Sequence, residues 1–301
     1  MGGFFMKRFL VFLVSTFIVS TTVAFSQYYQ AVQGKGGVDW TDQIVRATGI
    51  GSPNPDLPAG AQRSGAIEAA KRIALRNLLE MVKGMNLNSE VTIENAMVSS
   101  DEIRTSVEGV VRNFKVVDTR YMSTGDIEVD VEVPLSGFLD LVIPEEAGHP
   151  LYCPTCGQKW PAGVPYPFGN NPPGNAVPPT ASAGTTGRPG ALSGLIIDAR
   201  GLNLHPALAP KILDELGNEI YGSGFVSREY AVKIGVVGYE KDLNRARTNK
   251  RVAGNPIIVR AVRAAGTNQT DIIISNADAQ KIRTAAAHNN FLAQSRVMIV
   301  L

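Results

Sequence analysis

The sequence predicts an α+β protein, with two small mixed α/β domains joined by a linker rich in proline and glycine. Residues 144–190 hold 11 of the 18 prolines and 8 of the 30 glycines, with only four charged residues. Helical and alternating patterns occur on both sides of this stretch, without a regular strand–helix–strand repeat. We therefore predict domains at residues 38–143 and 191–301, with the linker at 144–190 between them.

Residues 1–26 have the order of a secretory signal peptide. Lys7 and Arg8 precede the apolar run FLVFLVSTFIVSTTVAF, which is followed by the small residue Ser26. We predict cleavage after Ser26 and a location in the periplasm or at the outer membrane. An uncleaved membrane anchor is the alternative. No cysteine stands near the predicted cut, so we do not expect a lipid-anchored lipoprotein.

The charge balance argues against a nucleic-acid partner. Removal of Lys7 and Arg8 leaves 27 of the 29 basic residues, which equals the 27 acidic residues. Nucleic-acid binders normally keep a basic excess to neutralise phosphates. No later segment is long and uncharged enough to predict a transmembrane helix once the signal is cleaved.

The first domain opens with a strand pattern and a long helix. DQIVRATGIG alternates and ends at glycine, which predicts a strand, and residues 59–84 follow with helical spacing. Gly84 is the predicted helix end. The many alanines of the apolar stripe predict that the helix lies close to a sheet. The stripe consists of Ala66, Ala69, Ala70, Ile73, Ala74, Asn77, Leu78 and Met81.

The rest of this domain predicts a further strand, a short helix and a hairpin. EVTIEN is interpreted as the strand and SSDEIRTSVEGVV as the helix. NFKVVDTRYMSTGDIEVDVEVPL predicts two strands around a turn at residues 123–126. One face of this hairpin is apolar and the other acidic. The apolar residues are Ile127, Val129, Val131 and Val133, and the acidic ones are Asp126, Glu128, Asp130 and Glu132.

Residues 38–143 resemble a known family. The strand ending in glycine, the helix AQRSGAIEAAKRIALRNLLEMVKGMNL and the segment VEGVVRNFKVVDTRYMSTGDIEVDVEVPLSG carry the resemblance. They are similar to the domain of small bacterial outer-membrane lipoproteins and to the N-terminal domain of flagellar assembly protein T. The resemblance implies a non-enzymatic envelope component, in some members part of a ring around the flagellar rod. This chain lacks the lipid-bearing cysteine of the lipoprotein members.

The second domain predicts several strands and one helix. GLIIDAR, NPIIVRAVRA, TDIIIS and RVMIVL are interpreted as strands, and PKILDELGNEIYG as a hairpin turning at residues 216–218. NADAQKIRTAAAHNNFLAQ predicts a helix capped by Asn276, with Ala279, Ile282, Ala286 and Phe291 on one face. We expect the RVMIVL strand to be paired inside a sheet, because an exposed apolar strand would be an aggregation edge.

No sequence motif names a reaction. Phosphate loops, nucleophile elbows, zinc-protease helices and dinucleotide fingerprints are missing from the sequence. We interpret the acidic hairpin face as a solvated surface, with a divalent-ion site as the alternative. Asp198 and Arg200 share a strand face and are predicted to pair. We predict no catalytic residue and no bound cofactor, with zinc as the open alternative.

The two cysteines lie in LYCPTCGQKWP at the start of the linker. In an exported protein, the spacing of Cys153 and Cys156 favours a small disulfide. A zinc knuckle of Cys153, Cys156 and His149 is the alternative, although tetrahedral zinc would need a further ligand from water, His205 or a second copy. Redox catalysis is a weaker alternative, because the prolines that follow do not suit a helix. The remaining histidine, His288, lies in a different segment.

These observations predict an exported, non-enzymatic structural or assembly protein of the cell envelope. The resemblance extends this to an association with the outer membrane or the flagellar basal body. We expect envelope proteins as partners, or other copies of the chain in an oligomer or ring. The alternative is a periplasmic metal-binding or thiol-redox protein that uses Cys153 and Cys156.

Overall fold

The computed structural model describes residues 28–141 and 192–301. Within these ranges the chain forms helices and two β-sheets, which confirms the predicted α+β class. The predicted signal peptide and the predicted linker lie outside the described residues. The predicted domain boundaries stay predictions.

The first sheet has five antiparallel strands in the order β1-β2-β3-β5-β4. Its strands are β1 (Tyr29–Val32), β2 (Gly36–Asp39), β3 (Ile44–Gly51), β4 (Lys115–Tyr121) and β5 (Ile127–Pro134). Between β3 and β4 lie the helices α1 (Ala59–Lys83), α2 (Ile93–Ser99) and α3 (Asp101–Arg112). A 3-10 helix, Leu135–Leu141, follows β5.

Helix α1 packs unusually close to strand β3, as the alanine stripe predicts. Ala66, Ala70 and Ala74 are buried and face two glycines of the strand. A Cβ atom at Gly49 would lie 2.2 Å from the Ala70 carbonyl oxygen, and one at Gly51 would lie 2.1 Å from that of Ala66. Any side chain at either glycine would therefore push the helix away from the sheet.

The prediction of a strand at EVTIEN is wrong. Ile93 begins α2, and only Thr92 forms a bridge, with Asn86. The reason is local capping, because the Thr92 hydroxyl accepts a hydrogen bond from the Asn95 N–H at 3.3 Å. Ser100 caps α3 in the same way through the Ile103 N–H, and the helix predicted there is confirmed.

The predicted hairpin is confirmed as β4 and β5, with a turn at residues 123–126. The burial of β5 alternates strictly along the strand. Its apolar residues face α1, and its acidic residues point to the opposite face of the sheet. The predicted division of the hairpin into an apolar and an acidic face is therefore correct for β5.

The second sheet has seven strands in the order β8-β7-β11-β10-β6-β12-β9. Its strands are β6 (Gly194–Asp198), β7 (Ile212–Asp214), β8 (Glu219–Tyr221), β9 (Gly238–Glu240), β10 (Pro256–Ala265), β11 (Asp271–Ile274) and β12 (Val297–Val300). Its helices are α4 (Arg228–Ile234), α5 (Leu243–Thr248) and α6 (Asn276–His288). The neighbours β10, β6, β12 and β9 run parallel.

The predicted strands of this half are confirmed, and β12 is paired on both sides, by β6 and β9. The predicted cap of α6 is one residue off. Ser275 is the N-cap, since its hydroxyl accepts the Asp278 N–H at 3.1 Å, and Asn276 is the first helical residue. Ala279, Ile282 and Ala286 of the predicted face are buried on α6, whereas Phe291, also buried, lies in a turn beyond the helix, which ends at His288.

The two sheets share one continuous apolar core. Trp40, which follows β2, packs edge-on against Tyr239 of β9, with ring centroids 5.6 Å apart and planes at 75°. Both side chains are 2% exposed. A second, smaller cluster lies on the other face of the parallel strands, beneath α5.

Candidate functional sites

Tyr239 lies at the junction between the two sheets, where it bonds to Ala207 of its own half and to Thr41 of the first half. Its hydroxyl donates to the Ala207 carbonyl oxygen at 2.9 Å and accepts the Ala207 N–H at 3.0 Å. The Thr41 hydroxyl donates to the Tyr239 carbonyl oxygen at 3.1 Å. Burial raises the pKa of Tyr239 above its ordinary value. The phenol therefore stays protonated and acts as a structural bridge.

Main-chain hydrogen bonds connect the two halves at a second place. The N–H groups of Leu208 and Ala209 donate to the carbonyl oxygens of Asn86 and Leu87, at 3.0 and 2.9 Å. The Asn268 N–H donates to the Ser89 carbonyl oxygen at 2.9 Å. The loop after α1 is therefore hydrogen-bonded to two loops of the second half, one before β7 and one between β10 and β11.

The acidic face of the hairpin is neutralised by arginine. Arg120 lies 2.6 Å from Asp118, 2.8 Å from Glu128 and 2.7 Å from Asp130. Its hydrogen bonds to Asp130, Glu128 and Asp118 raise the pKa of Arg120. Although partial burial by itself raises the pKa of Asp130, the hydrogen bonds from Arg120 and Thr48 hold that pKa below its usual value.

This arrangement favours the solvated-surface interpretation of the hairpin face over the divalent-ion alternative. Arg46 also pairs with Glu132, at 3.1 Å. In residues 28–141 and 192–301, no group of three or more His, Cys, Asp or Glu side chains is placed to hold a metal ion. His205 is exposed, and its Nδ1 lies 3.2 Å from the Asn268 carbonyl oxygen.

The predicted pair of Asp198 and Arg200 is present. The guanidinium contacts both carboxylate oxygens, at 2.8 and 2.7 Å. These hydrogen bonds from Arg200 lower the pKa of Asp198. The Arg200 N–H also lies 3.3 Å from Asp198 Oδ1. The pair closes the turn at the end of β6, which is a structural role.

Strand β4 is an exposed edge strand that carries large apolar side chains, as β1 at the other edge of the sheet also does with Tyr29 and Val32. It lies at the edge of its sheet and pairs only with β5 among the described strands. All its residues except Thr119 are exposed. The apolar side chains on and just after it are Val116 and Val117, each 38% exposed, Tyr121, 56% exposed, and Met122, 43% exposed.

Two features of β4 limit indiscriminate pairing along this edge. The strand has a bulge between Val116 and Asp118. The Asp118 carboxylate accepts the Thr119 N–H at 2.8 Å. Bulges and charges are the devices with which natural edge strands avoid aggregation. A partner for this edge must therefore match its particular charges and register.

The predicted cysteine site cannot be placed on these sheets. Cys153, Cys156 and His149 all lie outside the described residues. The disulfide, the zinc knuckle and the redox pair stay predictions. His288 is the last residue of α6.

The second half of the chain matches a known protein family. Residues 194–301 match the family model for the second domain of Tp0624 from Treponema pallidum. The match covers the whole seven-stranded sheet and stops short of the first sheet. No curated protein matches the chain. The family match does not include residues 38–143, so their resemblance to flagellar assembly protein T stays a prediction.

The described helices give no sign of a membrane span. None of them, in residues 28–141 or 192–301, is long and apolar enough to cross a bilayer. The exposed β4 edge and the junction at Trp40 and Tyr239 were both missed by the sequence interpretation. For β4, the signal available was that valines and charges alternate without a clean period in KVVDTRY.

Proposed function

We propose that this protein is an exported, non-enzymatic structural component of the cell envelope that assembles with copies of itself through β4. The exposed apolar β4 edge is the observation that carries this proposal. Export rests on the order of charged, apolar and small residues in positions 1–26. The resemblance of residues 38–143 to envelope components supports the same class of function.

The charges of β4 are complementary to themselves in one antiparallel register. With Thr119 on a two-fold axis, Asp118 of each copy lies opposite Arg120 of the other. The same register places Val117 opposite Tyr121, which joins the exposed apolar side chains across the new pair. Opposite charges and aromatic–β-branched pairs stabilise facing strands, by roughly 0.2–1 kcal/mol each. Isologous two-fold contacts are the commonest form of self-assembly.

A charged residue introduced on β4 tests whether the protein assembles through this strand. We expect the purified mature protein to sediment as a dimer or larger species at micromolar concentration. Val117→Lys should shift it towards monomer, because the lysine places a charge in the paired strand. Sedimentation velocity gives the mass of each variant.

Val98→Lys is the matched control. Val98 is 75% exposed on α2, so the same substitution there leaves β4 intact. Dissociation of both variants alike, or a wild-type protein that sediments as a monomer, would contradict assembly through β4.

Export is tested separately. We expect the mature chain to begin near Gln27 and to fractionate outside the cytoplasm, because the signal is cleaved after Ser26. N-terminal sequencing of protein from fractionated cells measures both. A chain that still begins at Met1 in the cytosolic fraction would contradict the proposed location in the cell envelope, whatever the result for β4.

A further inference from the structure

A cleft lies where the loop before β3 meets α4 and the loop after α5. Its volume is about 480 Å³, which is within the range of small-molecule sites. Ile44 and Pro134 of the first sheet line it, together with Gly238 and the buried Met298 of the second sheet. Residues from both halves of the chain therefore enclose it.

The lining of the cleft carries an excess of positive charge. Its cationic side chains are Lys233, Lys250 and Arg251, against the single carboxylate of Asp42. Asp42 already interacts with another group. Lys233 and Lys250 are exposed at the mouth, and no carboxylate of residues 28–141 or 192–301 forms an ion pair with either.

Arg251 is a partly buried cation held by carbonyl groups instead of a carboxylate. Its guanidinium donates to the carbonyl oxygens of Gly235 at 3.1 Å and Ser295 at 2.8 Å, and also to that of Ile234. Ile234 and Gly235 end α4, where the helix dipole favours a positive charge. Burial lowers the pKa of Arg251 to about 10, so it stays charged at neutral pH.

Carbonyl dipoles stabilise this charge but do not neutralise it. Within the described part of the chain, no carboxylate contributes to the pKa of Arg251, which the nearby Tyr221 phenol raises. A low-dielectric surrounding strengthens the attraction of a buried charge for an anion compared with that of a surface charge. The two lysines at the mouth would add to this attraction.

Gly238 makes the room that Arg251 occupies. A Cβ atom there would lie 2.9 Å from Arg251 Nε and 2.5 Å from the Met298 sulfur. Arg251 and the buried Met298 side chain therefore lie on the same side of Gly238. A ligand that contacts both the cations and the apolar wall of Ile44 and Pro134 needs an anionic group joined to an apolar body.

We propose that this cleft binds a small amphiphilic anion, a phosphate or carboxylate attached to an apolar chain. The anionic group lies between Lys233, Lys250 and Arg251, and the apolar part contacts Ile44 and Pro134. The ligand is either a free molecule or the headgroup region of a membrane lipid. This site is distinct from the β4 edge and does not depend on self-assembly.

Isothermal titration with hexyl phosphate tests the site, with the mature full-length protein and ligand kept below micelle formation. We expect hexyl phosphate to bind, inorganic phosphate to bind more weakly and neutral hexyl glucoside not to bind. The affinity for hexyl phosphate should fall as ionic strength rises, because the contacts at the mouth are screened by salt.

The double variant Lys233→Gln with Lys250→Gln should raise the Kd for hexyl phosphate about tenfold, as expected for two partly exposed charge contacts. The control, Arg247→Gln with Arg72→Gln, removes the same charge from exposed positions outside the cleft and outside β4. It should leave the Kd unchanged. Equal weakening by both double variants, equal binding of hexyl glucoside, or no binding of hexyl phosphate would each overturn the proposal.

Vesicles distinguish the two sources of the ligand. If the wild-type protein also binds vesicles of phosphatidylglycerol, and the Lys233/Lys250 variant does not, the ligand is a membrane lipid. Binding of hexyl phosphate without vesicle binding supports a free amphiphile. Vesicle binding that persists in the Lys233/Lys250 variant, together with unchanged hexyl phosphate affinity, would place the anion site elsewhere and overturn the proposal.

Discussion

Truncation of Trp40 to alanine is expected to lower the free energy of unfolding by about 3–5 kcal/mol, the range for a large buried aromatic side chain. Trp40 is 2% exposed and packs against Tyr239 of the other sheet. Its indole N–H donates to the Gln30 side chain at 3.2 Å. The substitution leaves a cavity in the core that both sheets share, so both halves should lose stability together.

Urea unfolding followed by far-ultraviolet circular dichroism measures this effect. We expect one cooperative transition for the wild-type protein and one transition, at lower urea, for Trp40→Ala. Leu216→Ala is the control, because Leu216 is 78% exposed in a turn and its truncation should cost within about 0.5 kcal/mol. Two transitions, of which only one shifts, would show that the halves unfold independently.

The elements that the sequence predicts well have patterns that local geometry determines. The alanine stripe of α1 and the alternation of β5 each report which face is buried, since helices and strands have fixed periods. The close approach of α1 to β3 follows from residue size alone, because Ala70 faces Gly49. Such features need no knowledge of the remainder of the chain.

Strand partners and short helices are harder to predict. The apolar runs of β6 and β12 show that these strands are buried, but a run without alternation does not specify a neighbour. Nothing local indicates that Ile197 lies beside Ile299 in a parallel pair. At Thr92, one hydroxyl cap turned a valine–threonine–isoleucine segment from the predicted strand into a helix start.

The cationic cleft and the junction at Trp40 and Tyr239 combine residues that are far apart in the chain, which is why the sequence did not predict them. The Gln43 side chain donates to the Val237 carbonyl oxygen at 2.8 Å, beside the cationic cleft. Lys250 and Arg251 are adjacent basic residues in an otherwise ordinary charge pattern. Their position beneath Ile44 depends on how the two sheets pack, and packing is not encoded in any single segment.

Asp214 connects the β7–β8 hairpin to helix α6, and its loss should be the largest effect among the buried carboxylates. It is 1% exposed, and its carboxylate accepts the N–H groups of Leu216 at 3.0 Å and Asn218 at 2.8 Å. Arg283 of α6 donates to it at 3.0 Å. Gly217 completes the turn with a φ of 84°, which glycine adopts without strain.

Asp214→Asn keeps the shape of the side chain but removes its charge and places an amide N–H₂ among donors. We expect the free energy of unfolding to fall by about 3 kcal/mol, the scale on which a buried ion pair is broken by removing one partner. Asp56→Asn is the matched control. Asp56 is exposed in the loop before α1, and its substitution should change stability by less than about 0.5 kcal/mol.

The pH dependence of stability gives an independent measure of the same carboxylate. Burial alone raises the pKa of Asp214, but the hydrogen bonds from Asn218 and the ion pair with Arg283 outweigh it and hold the pKa below the ordinary value of 3.8. A carboxylate whose pKa is lower in the folded state stabilises the protein above its unfolded-state pKa, and this contribution is lost as the pH falls through the folded-state pKa. The wild-type protein should therefore lose more stability than Asp214→Asn between about pH 5 and pH 2. Urea unfolding at a series of pH values measures the difference, and parallel curves for the two proteins would show that Asp214 is not held ionised by its partners.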